Sequence, residues 1–318
     1  MRQASLYYTA EFLNHKTGRH FECPERLSAC IESLHKRNGS GILREASVRK
    51  ATREEVQRVH DAALVESLEA MSRAGGGMPD SDTVVSAGSF DAALLAAGAA
   101  IDAAGAVASG GAQQALALVR PPGHHATRAQ VMGFCLFNNV AIAARHLIEQ
   151  VGLGRVAILD FDVHHGNGTQ EAFYEDPRVM FVSFHRSPFY PGTGHSSETG
   201  AGAGEGFTVN VPLPYHTPAA QYLSLWNDVL REKVLAFGPE AVLVSAGFDN
   251  YKYDPVGGLN FEVADFRKVG ESILRLADAA CGGRVASVLE GGYDLDALPR
   301  SLEAYLEGLE ILAPVGAA

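Results

Sequence analysis

The chain has 318 residues and a formal net charge of −11, from 26 Lys and Arg against 37 Asp and Glu. That length suits one large α/β domain over 1–318, and no Pro- or Ser-rich linker, low-complexity tract or internal repeat divides it. The negative charge, with no Lys/Arg cluster to offset it, argues against nonspecific nucleic-acid binding.

In chain order, no charged n-region followed by an apolar h-region opens the sequence, so no signal peptide is read. The cysteines Cys23, Cys30, Cys135 and Cys281 form no zinc-type pairs and read as free thiols of a reducing cytoplasm. A strand is expected at 5–9 and a helix at 24–37, with Pro24 near its first turn. Helices are expected at 61–71 and 90–108. The second is Ala-rich, carries Gly98 and Asp102, and reads as a tightly packed core helix and not a membrane span. The apolar run 115–119 is a strand, 137–151 a helix, and 156–159 a buried strand. Strands are expected at 179–184 and 207–211, and again in the runs that begin at Val242 and Val285. Helices are expected at 219–237, 261–279 and 298–312. This alternation predicts a mainly parallel sheet covered on both faces. Long loops fall at 72–89, 123–134, 185–205 and 249–260, where insertions commonly carry function.

Four of the buried strands end in glycine plus polar groups. The run at 156–159 leads into Asp160-Phe161-Asp162-Val163-His164-His165-Gly166-Asn167-Gly168. The others lead into Arg120-Pro121-Pro122-Gly123-His124-His125-Ala126, Ser245-Ala246-Gly247-Phe248-Asp249, and Glu290-Gly291-Gly292-Tyr293. Ligands of open α/β sheets bind outside the carboxyl ends of the strands, so all four endings should face one crevice. Asp162 and His164 stand two apart. On extended backbone they would share a face and bring an oxygen and an imidazole nitrogen to one point, the start of a metal site. The glycines after them should let the backbone turn and leave room for a ligand.

With His20-Phe21-Glu22-Cys23-Pro24-Glu25-Arg26, Gly133-Phe134-Cys135 and Pro191-Gly192-Thr193-Gly194 added, the chain resembles the zinc-dependent histone deacetylase family over nearly its whole length. Asn167, where the class I pattern has Asp, makes it more similar to the class II branch. The resemblance implies the arginase–deacetylase fold: a single α/β domain with an eight-stranded, mainly parallel sheet and helices on both faces. It also implies an amidohydrolase that removes acetyl groups from a primary amine, such as acetyl-lysine of a protein or peptide, with no nucleic acid or membrane as partner. A homo-oligomer is left open.

The implied zinc ligands are Asp162, His164 and Asp249, a set that also tolerates iron(II). His124, paired with Asp160, and His125, paired with Asn167, would manage protons, and the carboxylate partner should make the two imidazoles differ in protonation. Tyr293 would donate to the oxyanion. Gly133, Phe134, Tyr190 and Gly292 would line a tunnel for the alkyl stem. A potassium site is implied at the carbonyls of Asp160, Asp162, His164 and Phe184 and the Ser183 hydroxyl. His165 reads as packing behind the site, and His15, His20, His185 and His195 as rim or structural residues. Arg26 falls where the family has an inner cavity, with a surface ion pair as the alternative.

Three alternatives have sequence tests. A two-metal ureohydrolase needs further carboxylates where Gly166 and Tyr251 stand, and is rejected. A polyamine-selective enzyme of class II carries a gatekeeper Glu after the Asp-Pro following the metal Asp. Here Asp254-Pro255 is followed by Val256, which weakens but does not remove an acetylpolyamine reading. A catalytically dead acyl-lysine reader finds no support, because both histidines and Tyr293 are present.

Overall fold

The computed structural model describes residues 1–37 and 43–314. Its strands are β1 (Ala4–Tyr7), β2 (Leu43–Ala46), β3 (Gly76–Gly77), β4 (Val85–Ser86), β5 (Gln114–Ala117), β6 (Val156–Asp160), β7 (Val179–Arg186), β8 (Thr208–Leu213), β9 (Ala241–Ala246) and β10 (Val285–Leu289). The helices are α1 (Glu25–Arg37), α2 (Arg53–Val56), α3 (Ala62–Arg73), α4 (Ser89–Ala108), α5 (Asn139–His146), α6 (Asn167–Phe173), α7 (Ala219–Val229), α8 (Leu235–Phe237), α9 (Val263–Cys281) and α10 (Ala297–Gly308). Eight strands form one sheet in the order β2-β1-β5-β10-β9-β6-β7-β8, and every neighbouring pair is parallel. β3 and β4 make a separate two-residue hairpin pairing.

The four central strands, β5, β10, β9 and β6, are buried along their whole length. A parallel sheet must be covered on both faces, which is why these strands read as unbroken apolar runs instead of alternating ones. α4 packs on α5, while α9 packs on α10 and α10 on α1. α4 is long and apolar enough to cross a membrane by length and composition. Most of its alanines are instead buried, packed against α5 and the sheet, as expected of a core helix.

The structure adds elements that the sequence pattern does not announce. β2 is an edge strand whose middle residues, Arg44 and Glu45, are exposed, so no apolar run marks it. α2 is one turn closed by a capping box between Thr52 and Glu55. α6 follows directly on the histidine–glycine stretch. β7 runs two residues past its expected end, which places His185 and Arg186 in the strand and not in the loop at 185–205. The helix expected at 137–151 ends in a π-helical turn at Leu147–Val151, and the one expected at 219–237 is interrupted by another at Leu230–Val234. The helix expected at 298–312 ends at Gly308.

Because the sheet is parallel, the segments leaving β1, β5, β6, β7, β9 and β10 emerge at one edge. All the polar strand endings therefore meet there.

Candidate active site

β6 ends at Asp160, so Asp162 and His164 lie just beyond it. They do not converge through a shared strand face. The chain bends, and the His164 backbone N–H donates to Asp162 Oδ1 at 2.9 Å, an Asx-turn made by the carboxylate itself. The same oxygen lies 3.0 Å from His164 Nδ1. Asp249, at the end of the segment leaving β9, brings its Oδ2 to 3.1 Å from that nitrogen. Donor atoms of Asp162, His164 and Asp249 all lie within 4.8 Å of one another, and all three residues are buried.

Each carboxylate is held by one more backbone donor. Val163 N–H donates to Asp249 Oδ1 at 2.9 Å, and Gly291 N–H donates to Asp162 Oδ2 at 2.9 Å. Gly291 is required here. A Cβ on it would lie 2.3 Å from Asp249 Oδ2 and 2.5 Å from Asp162 Oδ2. Apart from that approach to His164 Nδ1, Asp249 Oδ2 is buried without a hydrogen-bond partner. Burial, and then the charge of Asp162, push the Asp249 carboxyl up to about 7. Two carboxylates and an imidazole at this spacing, with an oxygen left over, fit a divalent cation with room for further ligands.

The glycines after His164 serve a different end from the one expected of them. A Cβ on Gly166 would sit 2.3 Å from Asp160 Oδ2, and one on Gly168 2.1 Å from the Ala126 carbonyl. They make room for the Asp160 carboxylate and for the neighbouring loop.

That neighbouring loop, leaving β5, carries the histidine pair. His124 Nδ1 lies 2.9 Å from Asp160 Oδ2, and His125 Nδ1 lies 2.8 Å from Asn167 Oδ1. The rings are 4.0 Å apart between centroids, and His125 is 5.8 Å from His164. Burial disfavours charge on both. For His124 the charges of Asp160 and Asp162 outweigh it and push the ring up to about 10. For His125 burial is joined by the charges of His124 and His164, and the ring is held well below the usual histidine range. The two imidazoles are therefore pushed in opposite directions, His124 towards its charged form and His125 towards its neutral form.

Tyr293 stands beyond Gly292, whose φ is +114°. Its ring is edge-on to Phe134 at 5.7 Å, and the Arg26 guanidinium carbon lies 4.8 Å from its centroid. Burial raises its hydroxyl well above the usual tyrosine value, against the pull of Arg26, so it stays a protonated donor. Arg26 is fully buried and donates to the carbonyls of Gly292 (2.6 Å) and Glu290 (2.5 Å), which excludes the surface ion pair.

Gly133 and Phe134 both have positive φ, +57° and +68°. Phe134 is fixed by Thr83 Oγ1 accepting from its N–H at 3.1 Å and by the edge-on ring of His20 at 4.6 Å. Tyr190 stands edge-on to His125 at 5.1 Å and is partly exposed. Phe134 and Tyr190 thus contact Tyr293 and His125 respectively. Ser183 pairs in register with Asp160, and its hydroxyl lies 2.9 Å from His185 Nδ1. Phe184 is buried beside it. His165 is hydrogen-bonded at both nitrogens, to Thr193 (2.8 Å) and Gln170 (3.0 Å). His15 and His185 are buried, while His195 is exposed.

Four residues have contacts to which the sequence assigns no role. Glu22 is buried under the site and bound by Arg120, Arg26 and His15. Burial would raise its carboxyl, but chiefly the Arg120 charge holds it well below the usual range. Asp254 Oδ2 accepts the N–H of Tyr293 at 2.7 Å. Phe189 stacks on His164 at 5.1 Å and carries the Arg186 guanidinium 3.8 Å from its centroid. Glu290 accepts from the histidine loop. The contacts of Glu22 with Arg120, of Asp254 with Tyr293 and of Glu290 with Gly123 join residues distant in the chain, so local spacing does not reveal them.

The histone deacetylase domain family matches residues 20–309. A probable deacetylase of Archaeoglobus fulgidus is 42% identical over 92% of this chain and 82% of its own. Histone deacetylase 14, chloroplastic, of Arabidopsis thaliana is 40% identical over 93% of this chain and 74% of its own. The polyamine deacetylase HDAC10 of Mus musculus is 41% identical over 88% of this chain but 43% of its own. Among solved structures, the HDA15 HD domain superposes with a TM-score of 0.92 at 36% identity, covering 98% of this chain and 89% of that one. With the eight-stranded parallel sheet, these matches place the chain in the histone deacetylase family, with its arginase–deacetylase fold.

Proposed function

We propose that the protein is a zinc-dependent amidohydrolase that removes acetyl groups from a primary amine, and that its substrate is acetyl-lysine in a polypeptide. The observation that carries this reading is the convergence of Asp162, His164 and Asp249 beside two histidines, one paired with the Asp160 carboxylate and the other with the Asn167 amide. Zinc held by those three residues supplies a Lewis acid for the amide carbonyl and lowers the pKa of water. Iron(II) suits the same donors. His125, neutral and oriented through Asn167, takes the proton from the attacking water. His124, cationic through Asp160, stabilises developing negative charge and supports protonation of the leaving amine. Tyr293 donates to the oxyanion. Phe134 and Tyr190 are the tunnel walls for an alkyl stem, with Gly133 and Gly292 shaping them. Potassium is proposed at the carbonyls of Asp160, Asp162, His164 and Phe184 with the Ser183 hydroxyl.

The second reading is an acetylpolyamine substrate, favoured by the similarity to the mouse polyamine deacetylase. Against it stands Val256. Its N–H is held at 2.9 Å by Asp254, whose other oxygen holds the Tyr293 N–H. Val256 therefore belongs to the segment beside Tyr293 and offers no carboxylate for a distal ammonium. The comparison of kcat/KM for an acetyl-lysine peptide and N8-acetylspermidine tests the choice. The peptide is expected to win by at least about tenfold, and Val256→Glu is expected to move the ratio about tenfold towards the polyamine. A parent enzyme that prefers acetylspermidine would overturn the peptide reading.

A further inference from the structure

We propose that Glu290 is a positioning residue that locks the histidine loop and the tyrosine loop to each other, the first through its side chain and the second through its main chain. This rests on the deacetylase reading for its consequence in turnover, but the lock itself is a property of the fold.

Glu290 follows β10 directly and is fully buried. Its Oε2 accepts two backbone donors, Gly123 N–H at 2.6 Å and His124 N–H at 3.2 Å. Those groups lie beyond β5, where the sheet no longer supplies acceptors. Its own carbonyl accepts from Arg26 Nη2 at 2.5 Å. The same guanidinium donates from Nε to the Gly292 carbonyl at 2.6 Å and faces the Tyr293 ring. Its N–H is spent on the Ala246 carbonyl at 3.0 Å, which ties it to the end of β9. One residue thus touches the loops carrying the proton-handling histidines and the oxyanion donor, and is anchored to a third strand.

The choice of side chain is costly, which is why a mere filler is excluded. Oε1 is buried with no hydrogen-bond partner. Burial pushes the carboxyl up to about 7, with Asp160 and Asp162 adding to it against the charge of His124. A leucine would fill the volume without burying an unmet polar atom. What leucine cannot do is accept from Gly123 and His124. The His124 ring is set at one side by Asp160 and at its backbone by Glu290. A shift of about an ångström in such a group costs on the order of 100-fold in rate.

Three substitutions separate acceptor, charge and reach. Glu290→Gln keeps an oxygen at the same reach without the charge. Glu290→Leu keeps bulk without the acceptor. Glu290→Asp keeps acceptor and charge but is a methylene short. The Gln variant is expected to stay within about fivefold of the parent kcat with the same pH profile, while Leu and Asp fall by about 30- to 100-fold with KM within about threefold and metal content unchanged. Hydrogen exchange at the Gly123 and His124 amides, read by mass spectrometry of that peptide, is expected to quicken at least about tenfold in Leu and Asp but not in Gln. This second readout needs no turnover, so it decides the lock even if the deacetylase reading fails. Parent-like exchange and kcat in Leu or, should Leu not fold, in Asp would overturn the proposal. So would a Gln variant as slow as Asp, because the carboxyl would then act by charge or proton exchange and not by position.

Discussion

Tyr293→Phe is expected to lower kcat by roughly two to three orders of magnitude while metal content and KM stay near the parent values. The substitution removes one oxygen. The edge-on contact with Phe134 and the Arg26 guanidinium over the ring both survive it, and the backbone remains held by Asp254. Burial keeps the phenol protonated across the neutral range, so what is lost is a hydrogen-bond donor and not a charge. Donors aimed at an oxyanion act in the transition state, and their loss therefore appears in kcat. Activity within a factor of a few of the parent would reduce Tyr293 to a packing residue. Steady-state kinetics with metal analysis on the same samples make the check.

The second large effect is expected of Asp249→Asn. The amide preserves shape, and its oxygen can still accept the Val163 N–H that Asp249 Oδ1 accepts, so the fold is expected to survive. The charge is removed from a cluster whose donor atoms lie within 4.8 Å. Loss of partners behind the ligands of a metal site costs about 10- to 100-fold in affinity, and loss of a ligand charge exceeds that, so zinc should bind about 1,000-fold more weakly. Competition with a chromogenic chelator measures this directly. Unchanged affinity would mean that Asp249 caps the Val163 turn and does nothing for a metal.

The strand endings were legible in the sequence because their signal is local. Apolar runs that stop at Gly and Asp or His are visible in a few residues, and the parallel sheet follows from their alternation with helices. The residues that converge beyond the sheet could thus be listed, but not how they meet. Asp162 and His164 converge through a bend closed by the Asp162 carboxylate, and not through strand pleating. Gly166 and Gly168 are small because Asp160 and Ala126 press on them. The supporting shell was not legible. Glu22 binds Arg120 98 residues away, and Glu290 binds Gly123 167 residues away. The acceptor role of Glu290 appears only when the sheet order brings β5 beside β10. β2 stayed hidden for a related reason. As an edge strand with two exposed charged residues, it has no apolar pattern to betray it.

A metal held by Asp162, His164 and Asp249 is expected to be needed for amide hydrolysis. Acetate release from an acetyl-lysine peptide, measured on protein stripped by chelator and again after stepwise return of zinc, tests it most directly. No release above background is expected from the stripped protein, with recovery that saturates near one zinc per chain. Full turnover by protein carrying almost no metal, or no acetate from fully reloaded protein, would contradict it.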